Sequence, residues 1–146
     1  MRRGPVGHWC GYVGLPEGHR FHGVEYSAPV KAPDGWLDRP AKIDEDYGAI
    51  ALFCASVNSN PAEGIYPLEL LVRCHGGLTY SKKDLLSRKA DDLWWLGFDS
   101  AHADDMCPKS SYDTGGTYRD EQYVRASLAK LCGDIAGLDA ALSRPA

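Results

Sequence analysis

The most regular pattern of apolar and polar positions lies at the C-terminal end of the chain. Val124, Leu128, Leu131, Ile135, Leu138 and Leu142 recur at alternating spacings of four and three, which places six aliphatic side chains on one stripe of a helix. Thr117 is the expected N-cap, with Asp120 three residues on to favour the exposed first-turn N–H groups. Gly133 and Gly137 each cost about 1 kcal/mol relative to alanine, so Gly133 marks where a kink or break would fall. The stripe suits the covering of a sheet, and serves a homo-oligomer contact as readily.

Upstream, the apolar runs are short and extended in character. Trp9 to Leu15 mixes aromatic, β-branched and glycine residues before a Pro16-Glu17-Gly18 turn, and Trp94 to Phe98 is bulky and glycine-containing; both predict strands. Leu68 to Cys74 predicts a strand entering Gly76-Gly77, and Leu78 to Tyr80 again favours extended structure. Tyr47 to Val57 is apolar enough to be buried; period alone does not separate helix from strand in so short a run, and a strand is the expectation. Between them, residues 27–67 form a proline-rich loop or insertion, with Pro29, Pro33 and Pro40 precluding long regular structure in its first part. The expected fold is α+β: a small, mainly antiparallel sheet of four or five strands covered by the long C-terminal helix, within a single domain spanning 1–146.

Composition sets the limits. A chain of 146 residues with 44% hydrophobic and 25% charged residues suits one packed core and not a disordered chain. A net charge of −4 argues against wrapping extended nucleic acid, which needs concentrated Lys and Arg. The run from Lys82 to Lys89 is the densest basic stretch, and Asp84 dilutes it. The five cysteines show no paired ligand spacing, so structural zinc through them is not expected; Cys74 and Cys132 read as small buried thiols in a reducing compartment. Without a signal-peptide pattern or an apolar run of roughly 20 residues, a cytoplasmic protein with no membrane partner is expected.

Candidate chemistry gathers in three places. His75-Gly76-Gly77 suits an anion-binding turn, since paired glycines reach positive φ and leave N–H groups open beside an imidazole; a plain hairpin is the structural alternative. Asp99 to Asp105 sets three carboxylates around His102, and Asp99 with His102 would share a face of a helical turn. Such a pair suits a base and its orienting partner, or a divalent metal held with His75 or Asp105; the structural alternative is that Asp99 caps the turn and His102 only pairs with it. Arg119, at the start of the C-terminal helix, suits bidentate binding of phosphate, or pairs with Asp99 or Asp120. Thr79, Tyr80 and Trp95 lie beside these segments and offer a hydroxyl and two stacking faces. A Cys107–His102 nucleophilic pair is a further alternative.

The segments Trp9-Cys10-Gly11-Tyr12-Val13, HGGLTYS (His75–Ser81), WWLGFDSAH (Trp94–His102) and YRDEQYV (Tyr118–Val124) together resemble a family of small, uncharacterised proteins encoded by bacteriophages and prophages. The resemblance covers roughly residues 8–22 and 74–132 and leaves the proline-rich stretch and Tyr47–Val57 as additions. It implies a setting, since small non-structural phage proteins often counter host defence by binding or destroying nucleotide signals. The leading expectation is therefore an accessory, anti-defence protein that sequesters a phosphate-bearing, nucleotide-like molecule without a metal or other cofactor. On that expectation His75, Gly76, Gly77 and Arg119 hold the phosphates, Tyr80 or Trp95 the base, and Asp99 a sugar hydroxyl. Two alternatives stand beside it: a small hydrolase or phosphodiesterase using His75, His102 and Asp99, and an inhibitor that covers a host protein.

Overall fold

The computed structural model describes residues 1–40, 46–47, 52–53, 56–85, 92–111 and 115–144. Among these, β1 (Arg2–Arg3), β2 (Trp9–Pro16), β6 (Leu93–Asp99) and β5 (Tyr80–Lys82) form an antiparallel four-stranded sheet in the spatial order β1-β2-β6-β5. A second, two-stranded sheet pairs β3 (Pro29–Lys31) with β4 (Ile65–Pro67) and draws together the two ends of the proline-rich segment. Helix α2 (Glu121–Leu142) packs on the large sheet. The expected α+β architecture is the observed one.

Register explains the division of labour between the sheet's two faces. Gly11 pairs with Phe98 and Val13 with Leu96, and these positions face α2: Leu15, Leu96 and Phe98 join Val124, Leu131, Ile135 and Leu138 in one buried cluster. Each fully buried aliphatic or phenyl side chain there contributes about 1.5–3 kcal/mol relative to exposure, and this cluster is what holds the helix to the sheet. The alternate positions point the other way. Arg2 lies opposite Cys10, which lies opposite Asp99; Tyr12 and Tyr80 flank Gly97 from either side. A side chain at Gly97 would sit 2.4 Å from the Tyr12 ring, so glycine here lets the two tyrosines meet edge to face at 5.3 Å.

Several expectations are corrected. Leu68–Leu71 is a short helix, α1, and not a strand. Leu68, Leu71, Val72 and Cys74 are all at 0% exposure and Glu69 is buried among them, so apolar and polar positions show no alternation from which a period could be read. Of Tyr47–Val57, the described residues Leu52, Phe53, Ser56 and Val57 are helical rather than extended; the remainder, apart from Tyr47, lies outside the described residues. The N-cap of α2 is Asp120, whose carboxylate accepts from Tyr123 N at 2.8 Å. Thr117 instead exchanges backbone hydrogen bonds with Asp104 and Met106. Helix α2 runs through Gly133 without a break, because packing of its apolar stripe outweighs the local propensity cost. Cys74 is buried as expected, whereas Cys132 is exposed. No helix among the described residues is long and apolar enough to cross a membrane.

Candidate functional site

The residues singled out in the sequence fall into two neighbouring sites. The first is a buried cluster at the end of the sheet, beneath the first turns of α2. His75 leaves the extended segment after α1, and its backbone N–H donates to Ser127 Oγ at 2.8 Å. Its ring is held at both nitrogens, Nδ1 by Tyr123 Oη at 2.9 Å and Nε2 by Asp105 Oδ2 at 2.7 Å. Gly76 and Gly77 both adopt positive φ, 68° and 85°. Gly77 N–H closes the turn onto Cys74 O, and a side chain on Gly76 would collide with the His102 ring at 2.1 Å. The paired glycines thus make a tight turn and let His102 lie directly over it, edge to face with His75 at 5.1 Å.

Asp105 is the centre of this cluster, with a side chain only 1% exposed. Its Oδ2 meets His75 and accepts from the His102 backbone N–H at 3.1 Å, while Oδ1 accepts from Arg119 Nε at 2.9 Å. Burial alone would push its carboxyl up; hydrogen bonding with His102, His75 and Arg119 outweighs that and holds it well below the ordinary carboxylate range. His102 Nδ1 faces Oδ2 at 3.4 Å, is buried, and has no well-aligned hydrogen-bond partner. The adjacent carboxylate raises the His102 pKa against the opposing effect of burial. Gly116 delivers Arg119 to this point: its backbone passes so close to Asp104 that a side chain would sit 2.5 Å from the Asp104 carbonyl oxygen.

The second site is a groove of about 630 Å³ on the sheet face turned away from α2. Arg2, Arg3, Tyr12, Tyr80 and Asp99 line it from the sheet, and Thr79, His8 and Lys109 from the segments beside it. Asp99 accepts from Thr79 Oγ1 at 3.0 Å and from Ala101 N at 3.0 Å. Arg3 is fixed by the Gly7 carbonyl and the Tyr118 hydroxyl, with its guanidinium 4.2 Å from the Trp9 ring centroid. His8 is 8% exposed, and its Nδ1 has no hydrogen-bond partner.

The expected residues are therefore brought together in two groups. His75, Gly76, His102 and Arg119 share the cluster around Asp105; Thr79, Tyr80 and Asp99 share the groove, and Trp95 lies on the same sheet face, opposite Gly14 and Lys82. Asp99 and His102 do not pair, because the loop after β6 turns His102 onto Asp105. Cys107 is no activated nucleophile: burial, with Asp105 and Asp99 nearby, pushes its thiol up. Sequence reasoning missed the basic residues at the N-terminus and Lys109, and it gave Asp105 no more than a share in a metal site. Only strand pairing brings Arg2 opposite Cys10. No family model, curated protein or solved structure matches the chain.

Proposed function

We propose that the protein binds and sequesters a small phosphate-bearing molecule with a flat ring, a nucleotide-like ligand, in the groove on the outer sheet face. The observation that carries this reading is the gathering of Arg2 and Lys109 around Tyr12, Tyr80 and the Thr79–Asp99 pair in a chain of net charge −4. Cations concentrated in one cleft of an acidic protein attract an anion locally. Guanidinium groups suit phosphate oxygens, tyrosine faces suit a base, and a hydrogen-bonded carboxylate suits a sugar hydroxyl. The groove's size falls within the roughly 300–1,000 Å³ of small-molecule sites. His8 Nδ1, buried and unpartnered at the wall, adds a polar atom that a ligand would satisfy. The phosphates move, in this reading, from Arg119, which is committed to Asp105, to Arg2 and Lys109; Arg3 is likewise committed, to the Gly7 carbonyl, the Tyr118 hydroxyl and the Trp9 ring. The resemblance to phage-encoded proteins gives such binding an anti-defence purpose, the removal of nucleotide signals from a host cell.

Calorimetry with a panel of cyclic dinucleotides and ADP-ribose-type compounds tests the proposal. At least one should bind, be recovered intact, and lose affinity by tenfold or more in Arg2→Ala/Lys109→Ala, two exposed positions where substitution leaves the core untouched. Absence of binding across the panel, or affinity indifferent to that double substitution, would overturn it.

Hydrolysis of the same class of ligand is the second reading, favoured by one observation: His102, its ring a third exposed, stands against the Asp105 carboxylate and lines a cleft of about 360 Å³. Turnover of the panel that disappears in His102→Ala would place it first.

A further inference from the structure

We infer that His75, His102 and Asp105 form a binding site for a first-row divalent cation of the Zn²⁺ class, separate from the anion groove and independent of what the groove binds. One nitrogen from each imidazole and one Asp105 oxygen lie within 4.8 Å of one another. Two imidazoles and a carboxylate are a common three-ligand set for zinc and for non-haem iron, which leave further coordination positions open.

The surroundings are arranged as the supports of such ligands are. A metal-bound imidazole usually gives its other nitrogen to a hydrogen-bond partner, and a bound carboxylate is itself hydrogen-bonded. His75 Nδ1 meets Tyr123 Oη at 2.9 Å, leaving Nε2 to point at the site. Asp105 Oδ1 accepts from Arg119 at 2.9 Å, leaving Oδ2 as the oxygen that both histidines face. His102 Nδ1 is the telling atom. It is buried and aimed at Oδ2, yet at 3.4 Å makes no aligned hydrogen bond. A buried polar atom left in this state calls for an occupant, and a cation held by Nδ1, Nε2 and Oδ2 would give Nδ1 a partner while taking the place of the His75–Asp105 hydrogen bond.

Metal–ligand bonds of about 2.0–2.2 Å set tetrahedral ligand atoms roughly 3.3–3.6 Å apart; His102 Nδ1, 3.4 Å from Oδ2, already stands at that spacing, while His75 Nε2 and Oδ2, 2.7 Å apart, must part by about 0.7 Å as the cation replaces the proton between them. His102 can follow that shift, because its ring is a third exposed, and His75 and Asp105 keep Tyr123 and Arg119 behind them. The outer edge of His102, with Asp105 and Cys107, lines the cleft of about 360 Å³, so the three ligands lie directly beside that cleft.

The test uses the untagged full chain carrying Cys132→Ser, which removes the exposed thiol as a competing ligand. After exhaustive chelation, titration with Zn²⁺ should show one site per chain, and Co²⁺ should develop the visible absorption of a nitrogen- and oxygen-ligated ion. His102→Ala, which retains the buried His75–Asp105–Arg119 core, should weaken Zn²⁺ at least thirtyfold and abolish the Co²⁺ band; His22→Ala, at a surface histidine remote in sequence, should change neither. Failure of the parent chain to bind Zn²⁺ at micromolar concentrations, or binding that survives His102→Ala unchanged, would overturn the inference. Nucleotide binding unaffected by His102→Ala would leave the groove reading standing in that event, so the two proposals fail separately.

Discussion

Glu69 is the most sharply testable residue outside either site. It lies in α1 between Leu68 and Leu71, both fully buried, and is itself 5% exposed. Its backbone N–H is satisfied by Tyr26 O at 2.9 Å, but among the described residues no cation or hydrogen-bond donor meets its carboxylate. Burial therefore pushes its carboxyl up from 4.5 to about 7. Between these values the folded protein holds a proton that the unfolded chain has released, so unfolding free energy falls as pH rises through that window and levels off above it. At 1.36 kcal/mol per pKa unit, the full span corresponds to about 3 kcal/mol. The stabilisation is present below pH 4.5 and lost as pH rises through about 7. Glu69→Gln keeps the shape and removes the ionisation. The variant should match the parent near pH 4.5 and exceed its stability by about 2–3 kcal/mol at pH 8, a gain limited by the cost of burying the amide. Urea denaturation of both proteins at pH 4.5, 6 and 8 isolates the effect, since every other titrating group is common to the two. A stability difference independent of pH would refute the assignment of Glu69 as a buried, unpartnered acid.

Two further predictions concern charge and backbone. Asp134 on α2 is 5% exposed and holds Arg39 and Arg73, each at 2.8 Å; those partners outweigh burial and hold its carboxyl below 3.8. Asp134→Ala should cost about 3–5 kcal/mol in urea denaturation at pH 7, and the parent's advantage over the variant should shrink as pH falls below about 4, where the carboxylate protonates. Gly76→Ala puts a methyl group 2.1 Å from the His102 ring at a φ of 68°. It should destabilise by about 1–3 kcal/mol and alter the His102 imidazole resonances in NMR spectra; resonances left in place would show that the ring does not lie over this turn.

The long helix was legible because a stripe of six aliphatic residues has one physical interpretation, and β2 and β6 were legible because β-branched and aromatic residues alternate with glycine between turn signals. α1 was not: buried Glu69 sits beside buried leucines, so polar and apolar positions do not mark out two faces. Strand β1 was hidden for a different reason. Two arginines beside Gly4-Pro5 have no strand signature of their own, and they extend only because β2 offers them an edge. The site residues were found by type and misassigned in pairing. Asp99 and His102 look like partners in sequence, yet the turn at Ala101–Asp104 gives His102 to Asp105 and leaves Asp99 to Thr79. Such exchanges depend on the φ and ψ angles of a few loop residues, to which residue type is a weak guide.

The span from Asp99 to Asp105 joins the two sites with only seven residues. Its first carboxylate stands in the groove and its last anchors the histidine cluster, with His102 between them. Ordering either end removes conformational freedom from the same short stretch of backbone. Thermodynamic linkage makes the result mutual: if filling the groove tightens a cation at the cluster by some factor, that cation must tighten the groove's ligand by the same factor. If both proposed sites are occupied, the loop is the stretch of backbone through which each would change the other's affinity.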